Sequence, residues 1–138
     1  MTDDDAALLS ELLMRAGRTQ RRRWRDVLAP WELAPSQARA LRVVCERPDT
    51  RVSDLAEALH IAPRSATEVA DGLQERGLVE RTPDPRDRRA VNLRPTAEGQ
   101  RVRAEVEAAR AADSRELFGR LSPADRAELA RVLRALVD

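Results

Sequence analysis

Arg86-Asp87-Arg88-Arg89 is the densest run of reactive side chains in this 138-residue sequence. Between Arg81 and Arg94, five arginines stand against Asp84 and Asp87, a local charge of +3. A planar guanidinium suits two-point contact with phosphate or with the edge of guanine. The other residue types exclude more chemistry than they permit. Cys45 is the only cysteine and His60 the only histidine. An internal disulfide and a multi-cysteine zinc site are therefore excluded, and a His-based metal site or Ser-His-Asp triad would rest on one residue. Tyr is absent and Phe occurs once, so no aromatic platform for stacking single strands can be built. No residue set supports an enzyme, a metal or a cofactor. All 25 basic residues are arginine, balanced by 24 acidic ones to a net charge of +1. Affinity for a polyanion must then come from local clustering rather than from overall charge.

The elements that must carry this run follow from apolar spacing and caps. Leu8, Leu9, Leu12, Leu13 and Ala16 predict a long helix over residues 4–29, with Asp3 to Asp5 favourably placed at its positive end. Pro30 closes it. A second helix is expected over 35–46, with Ala38, Leu41, Val44 and Cys45 on its apolar face. Pro48, Asp49 and Thr50 read as a loop, and Ser53 as the cap of a short helix through Leu59. Pro63 opens a further helix that Gly77 stops. Leu78 to Thr82 and Ala90 to Leu93 alternate as two strands about a polar turn, a hairpin. Thr96 caps a long helix through Phe118. Ser122-Pro123-Ala124-Asp125 starts the last one, which carries Leu129, Val132, Leu133 and Leu136.

Residues 52–69 have the spacing of a helix-turn-helix. Leu55, Ala56 and Leu59 face inward from the first helix, Ile61 plugs the turn, and Ala66, Val69 and Leu73 face inward from the second. That leaves Arg64, Ser65, Thr67 and Glu68 outside, where a recognition helix meets the major groove. The hairpin that follows at once makes this a winged helix, with the arginine tip able to enter a minor groove. In the competing reading, the hairpin is merely solvated and its aspartates neutralise its arginines.

Residues 33–99 resemble the MarR family of transcription regulators. The strings LAPSQARAL, VSDLAEAL and ERGLVERTPDPRDRRAVNLRPTAEG carry the resemblance, and DPRDRR is its most specific mark. It implies a mainly α fold with a small β-hairpin. The implied divisions are an N-terminal dimerisation helix (1–34), a winged helix-turn-helix lobe (35–95) and C-terminal dimerisation helices (96–138). It implies a homodimer on a pseudo-palindromic double-stranded operator, most often a repressor released by a small lipophilic or aromatic effector. Arg64, Ser65 and Thr67 then fall on the reading face. Asp87 would buttress the wing, and Arg88 or Arg89, with Arg86 beside them, would reach the minor groove.

Three residues depart from the family pattern. His60 stands where a turn glycine is common and must take a positive φ. Glu68 lies near phosphates but can accept from a cytosine amine. Gly72 sits inside the recognition helix at a cost of roughly 1 kcal/mol relative to Ala. Trp24 and Trp31 flank the junction that holds the effector pocket in related proteins; they line such a pocket or anchor the core. Cys45, among apolar neighbours, reads as a small hydrophobe rather than a redox sensor. No apolar run approaches the ~18 residues of a membrane span, and the start Met1-Thr2-Asp3-Asp4-Asp5 is unlike a signal peptide, so a cytoplasmic location is expected. Two rivals stay open: a degenerate winged helix serving only protein interaction, and an activator that displaces another DNA-binding protein.

Overall fold

The computed structural model describes residues 1–138. Its elements are α1 (Asp3–Leu28), a 3-10 turn (Ala29–Trp31), α2 (Pro35–Glu46), β1 (Thr50–Arg51), α3 (Val52–Leu59), α4 (Pro63–Glu75), β2 (Val79–Pro83), β3 (Val91–Pro95), α5 (Ala97–Phe118) and α6 (Pro123–Val137). The mainly helical fold with a small antiparallel sheet is the expected one.

Local chemistry explains most boundaries. At the start of α1, the Thr2 hydroxyl accepts from the Asp5 amide at 3.1 Å, and the Asp5 carboxylate accepts from the Thr2 amide at 3.0 Å. This reciprocal pair satisfies two free donors of the first turn. Ser122 caps α6 through the Asp125 amide at 3.1 Å. Thr96 does more than cap α5. Its hydroxyl accepts from the Gly99 amide at 2.9 Å and donates to the Gly77 carbonyl at 2.6 Å, which pins α5 to the turn before the wing. Gly99 is required there, because a Cβ would lie 1.9 Å from the Leu78 carbonyl oxygen.

Two local expectations are corrected. Thr50 is not in a loop. With Arg51 it forms the edge strand β1, pairing Thr50 with Leu93 and Arg51 with Asn92, so the hairpin grows into a sheet of order β1-β3-β2. Asp49 takes a φ of 63° to turn the chain into that strand. Ser53 is not the cap of α3. Strand pairing holds Arg51 extended, the helix begins at Val52, and the Asp54 carboxylate accepts from the Arg51 amide at 3.1 Å.

The core gathers Leu28, Leu41, Val44, Leu55, Leu73, Val79 and Leu93, all essentially inaccessible. It thus lies between α2, the helix-turn-helix and the sheet, with α1 and α5 closing one side through Leu28, Val102 and Val106. The N-terminal half of α1 stands apart. Leu8, Leu9, Leu12, Leu13 and Met14 are each 48–63% exposed, and α6 buries no residue while exposing Val132, Leu133 and Leu136. No helix is long and apolar enough to cross a membrane.

Candidate nucleic-acid interface

Helices α3 and α4 meet through a tight turn. His60 ends α3 at φ 54° and ψ 45°, the left-handed conformation its position demands. Ile61 follows, its amide donating to the Ala56 carbonyl at 3.0 Å and its side chain packing on the core. Ala66, Ala70 and Leu73 are fully buried on the inner face of α4. Ala70 adds to the expected inward set, and Val69 is only half-buried. Gly72 of α4 faces α2. A Cβ would come within 3.0 Å of the Gln37 side-chain amide of α2, a contact that the flexible glutamine could relieve by a small shift.

The outer face of α4 is as expected. Arg64, Ser65, Thr67 and Glu68 are exposed. Thr67 donates its hydroxyl to the Pro63 carbonyl at 3.1 Å, leaving the oxygen's acceptor side free. Arg64 and Glu68 stand 3.8 Å apart, one turn removed. An exposed pair of this kind is worth a few tenths of a kcal/mol, so it does not hold the Arg64 head against a competing base or phosphate.

The wing shows where its carboxylates go. Asp84 receives the Arg51 guanidinium at 2.8 Å on one oxygen and the Arg86 amide at 2.8 Å on the other. These contacts, the amide foremost, hold its carboxyl below the ordinary aspartate value. Asp87 accepts from the Arg89 amide at 3.0 Å, closing the turn locally. Asp84 is thus the carboxylate that ties the wing to β1, and Asp87 shapes its tip. Neither neutralises a wing arginine. Arg86, Arg88 and Arg89 are exposed and form no ion pair. The other two arginines of the run are structural. Arg81 bonds Asp71 at 2.6 Å and also Gln74, joining the wing base to the recognition helix. Arg94 bonds Asp49 at 2.7 Å, joining β3 to the turn before β1.

The two tryptophans meet different partners. Trp24 lines a cavity at the junction of α1, α2 and α5, with Leu33, Ala38, Leu41 and Val106, and the Arg110 guanidinium lies 4.6 Å from its ring centroid. Trp31 belongs elsewhere. It ends the 3-10 turn Ala29–Trp31, and its indole N–H donates to Glu105 of α5 at 3.1 Å. Its carbonyl and that of Glu32 accept from Arg76, just past the end of α4. Both tryptophans are partly buried against the hydrophobic core. Arginines not singled out from the sequence surround Trp24: Arg39 and Arg42 on α2, Arg103 and Arg110 on α5. No single helix shows this grouping in the sequence, because α1, α2 and α5 assemble it together. Of the four arginines Arg21, Arg22, Arg23 and Arg25 near the end of α1, Arg23 is structural, bonding Asp113 at 2.8 Å. Burial pushes the half-buried Cys45 thiol above its ordinary value, which suits an inert residue.

A helix-turn-helix with an arginine-tipped hairpin beside its second helix defines a winged-helix protein. The MarR family model matches residues 33–91. An HTH-type transcriptional regulator of Mycobacterium bovis, Mb0904, is 33% identical over 139 residues, covering 100% of this chain and 93% of the relative. The chain belongs to the MarR family. Its matches to YsmB of Bacillus subtilis, a regulator for the hcr operon of Thauera aromatica and the repressor MdtR of Bacillus subtilis span 64%, 58% and 43% of those proteins' lengths. Among solved structures, a MarR family protein from Bacillus stearothermophilus superposes with a TM-score of 0.83 at 27% identity, covering 99% of this chain and 95% of that one. BpsR of Bordetella bronchiseptica, whose DNA binding is regulated by 6-hydroxynicotinic acid, gives 0.75 at 25% identity, with 94% and 92% covered.

Proposed function

We propose that this protein is a sequence-specific, double-stranded DNA-binding transcriptional regulator acting in the cytoplasm, a repressor that a small ligand releases from its operator. The observation that carries the reading is the disposition of charge on the wing. Asp84 and Asp87 are occupied by Arg51 and by backbone amides, and Arg86, Arg88 and Arg89 are left free beside the exposed face of α4. A hairpin serving only solvation or protein contact has no need of three unpaired cations next to an empty helix face. Arg64, Ser65, Thr67 and Glu68 read base edges in the major groove, and the wing arginines enter the flanking minor groove. The role is regulatory rather than enzymatic.

A second copy of the chain completes this reading. Leu8, Leu9, Leu12 and Leu13 of α1 and Val132, Leu133 and Leu136 of α6 are exposed apolar side chains of the kind a second copy would cover. A dyad between two copies would present two recognition helices to half-sites about one helical turn, ~10 base pairs, apart. Repression is favoured by the name of MdtR, and ligand release by BpsR, among the relatives.

Light scattering at micromolar concentration should give twice the 15.5 kDa chain mass. Selection of bound duplexes from a random pool should then return a pseudo-palindrome. A folded monomer, or a pool without enrichment, contradicts the proposal.

A further inference from the structure

Five arginines meet at one cleft with no carboxylate among its walls. Arg21 and Arg25 of α1, Arg39 and Arg42 of α2 and Arg110 of α5 line about 390 Å³ beside Trp24 and Pro35. None of the five forms an ion pair, although nine other arginines of the chain do. At the narrow inner end, the Nε atoms of Arg42 and Arg103 are buried without a hydrogen-bond partner. Glu107 is the one carboxylate on that inner wall, and Asp113, farther along α5, is held by Arg23.

Unpaired cations brought together repel one another, and buried donors without acceptors cost free energy. An anion with several acceptor oxygens seated at the mouth removes the repulsion among the five guanidinium groups. The apolar part of the site is small. The space between Leu33, Ala38, Leu41 and Val106 is only about 20 Å³, room for a water or two and not for a lipophilic body. Recognition therefore falls to charge at the mouth, with the Trp24 ring as one apolar wall.

We propose that the ligand of this cleft is an organic polyanion, a compact apolar or aromatic body bearing two or more carboxylate or phosphate groups. The inference rests on the ligand-responsive reading above and deepens it. The charge count selects against neutral and singly charged aromatics, and planar guanidinium groups bind carboxylate or phosphate oxygens two at a time. The cleft uses the C-terminal part of α1 and leaves its exposed leucines free for the second copy.

The test is a fluorescence titration of the full-length protein carrying Trp31→Phe, so that Trp24 is the only reporter. The probes are benzyl alcohol, benzoate, isophthalate and benzene-1,3,5-tricarboxylate, one ring with rising charge. Phenyl phosphate and inorganic pyrophosphate form a second arm that separates phosphate from carboxylate recognition. Affinity should rise at least about tenfold from benzoate to the tricarboxylate or to pyrophosphate, and fall at least as much in Arg39→Gln/Arg42→Gln. Arg39→Lys/Arg42→Lys, which keeps the charge, should recover part of it and shows that a loss is not misfolding. Equal affinity across the series, or no saturable response to any probe, overturns the proposal. Operator binding is measured separately without probe. A drop there in the Gln variant, with a weaker salt dependence, would overturn it in favour of a DNA-backbone contact. Release of the wild-type protein from DNA by benzyl alcohol alone would overturn the charge requirement while leaving the regulator reading intact.

Discussion

The wing tip and the Trp24 cleft both hold arginines without carboxylate partners, yet they differ in shape and in backing. The wing tip is convex and rests on a sheet. Its own aspartates bind Arg51 and backbone amides, so its shape is held without consuming its charge. The cleft is concave and lies between three helices, with Trp24 as a wall and two guanidinium Nε atoms buried at its inner end. A protruding cation suits a groove that can receive it, and an enclosed set suits a molecule of limited size. In a chain of net charge +1, ion pairs at Arg23, Arg81, Arg94 and Arg101 remove many arginines from such roles. Among the arginines outside any ion pair, two groups cluster: Arg86, Arg88 and Arg89 at the wing tip, and Arg21, Arg25, Arg39, Arg42 and Arg110 at the cleft.

The largest expected effect separates reading from positioning. Arg64→Ala or Thr67→Ala should cost roughly 1–3 kcal/mol on the cognate duplex and much less on scrambled DNA, as measured by equilibrium binding at one salt concentration. Equal losses on both duplexes would place the wrong face of α4 in the groove. The next effect tests whether the wing is a held shape or a loose cation. Asp84→Asn removes the tie to Arg51 without touching Arg86, Arg88 or Arg89. It should weaken specific binding while leaving non-specific affinity nearly unchanged.

The same substitution has a pH signature. The folded-state carboxyl of Asp84 lies below its ordinary value. Its stabilising contribution is therefore complete above the unfolded value of about 3.9, and is lost as pH falls through the lower folded value. Thermal melts should show Asp84→Asn less stable than wild type at neutral pH, with the gap closing in acid. A gap that widens in acid contradicts the pairing. The smallest effect concerns Glu68. Glu68→Gln removes a negative charge from the reading face and should modestly strengthen binding to scrambled DNA, narrowing the ratio of specific to non-specific affinity.

Much of this arrangement is legible in the sequence because its causes are local. The proline at the start of α2, the Thr96 and Ser122 caps and the stop at Gly77 act within a few residues of where they stand. The exposed face of α4 follows from the inward spacing of Ala66, Val69 and Leu73. The features that are not legible depend on distant partners. β1 is two residues long and exists because Thr50 pairs with Leu93, which no local pattern announces. Asp84 and Asp87 are told apart only by Arg51, which comes across from β1 to meet the first. The cleft is assembled from three helices, and its arginines read singly as solvated faces. Trp31 lies beyond the end of α1, in the 3-10 turn Ala29–Trp31, and its indole is bonded to Glu105 of α5, a partner that no local pattern announces.

The central claim is that the wing arginines, and not those of the cleft, meet DNA. Operator affinity measured between about 50 and 200 mM salt tests it directly for wild type, Arg88→Ala/Arg89→Ala and Arg39→Gln/Arg42→Gln. Where wing arginines meet phosphates, the slope of log affinity against log salt should shrink in the wing variant by about 0.9 for every phosphate left unneutralised by each subunit. The cleft variant should keep the wild-type slope. A wild-type slope in the wing variant together with a reduced one in the cleft variant would contradict the account.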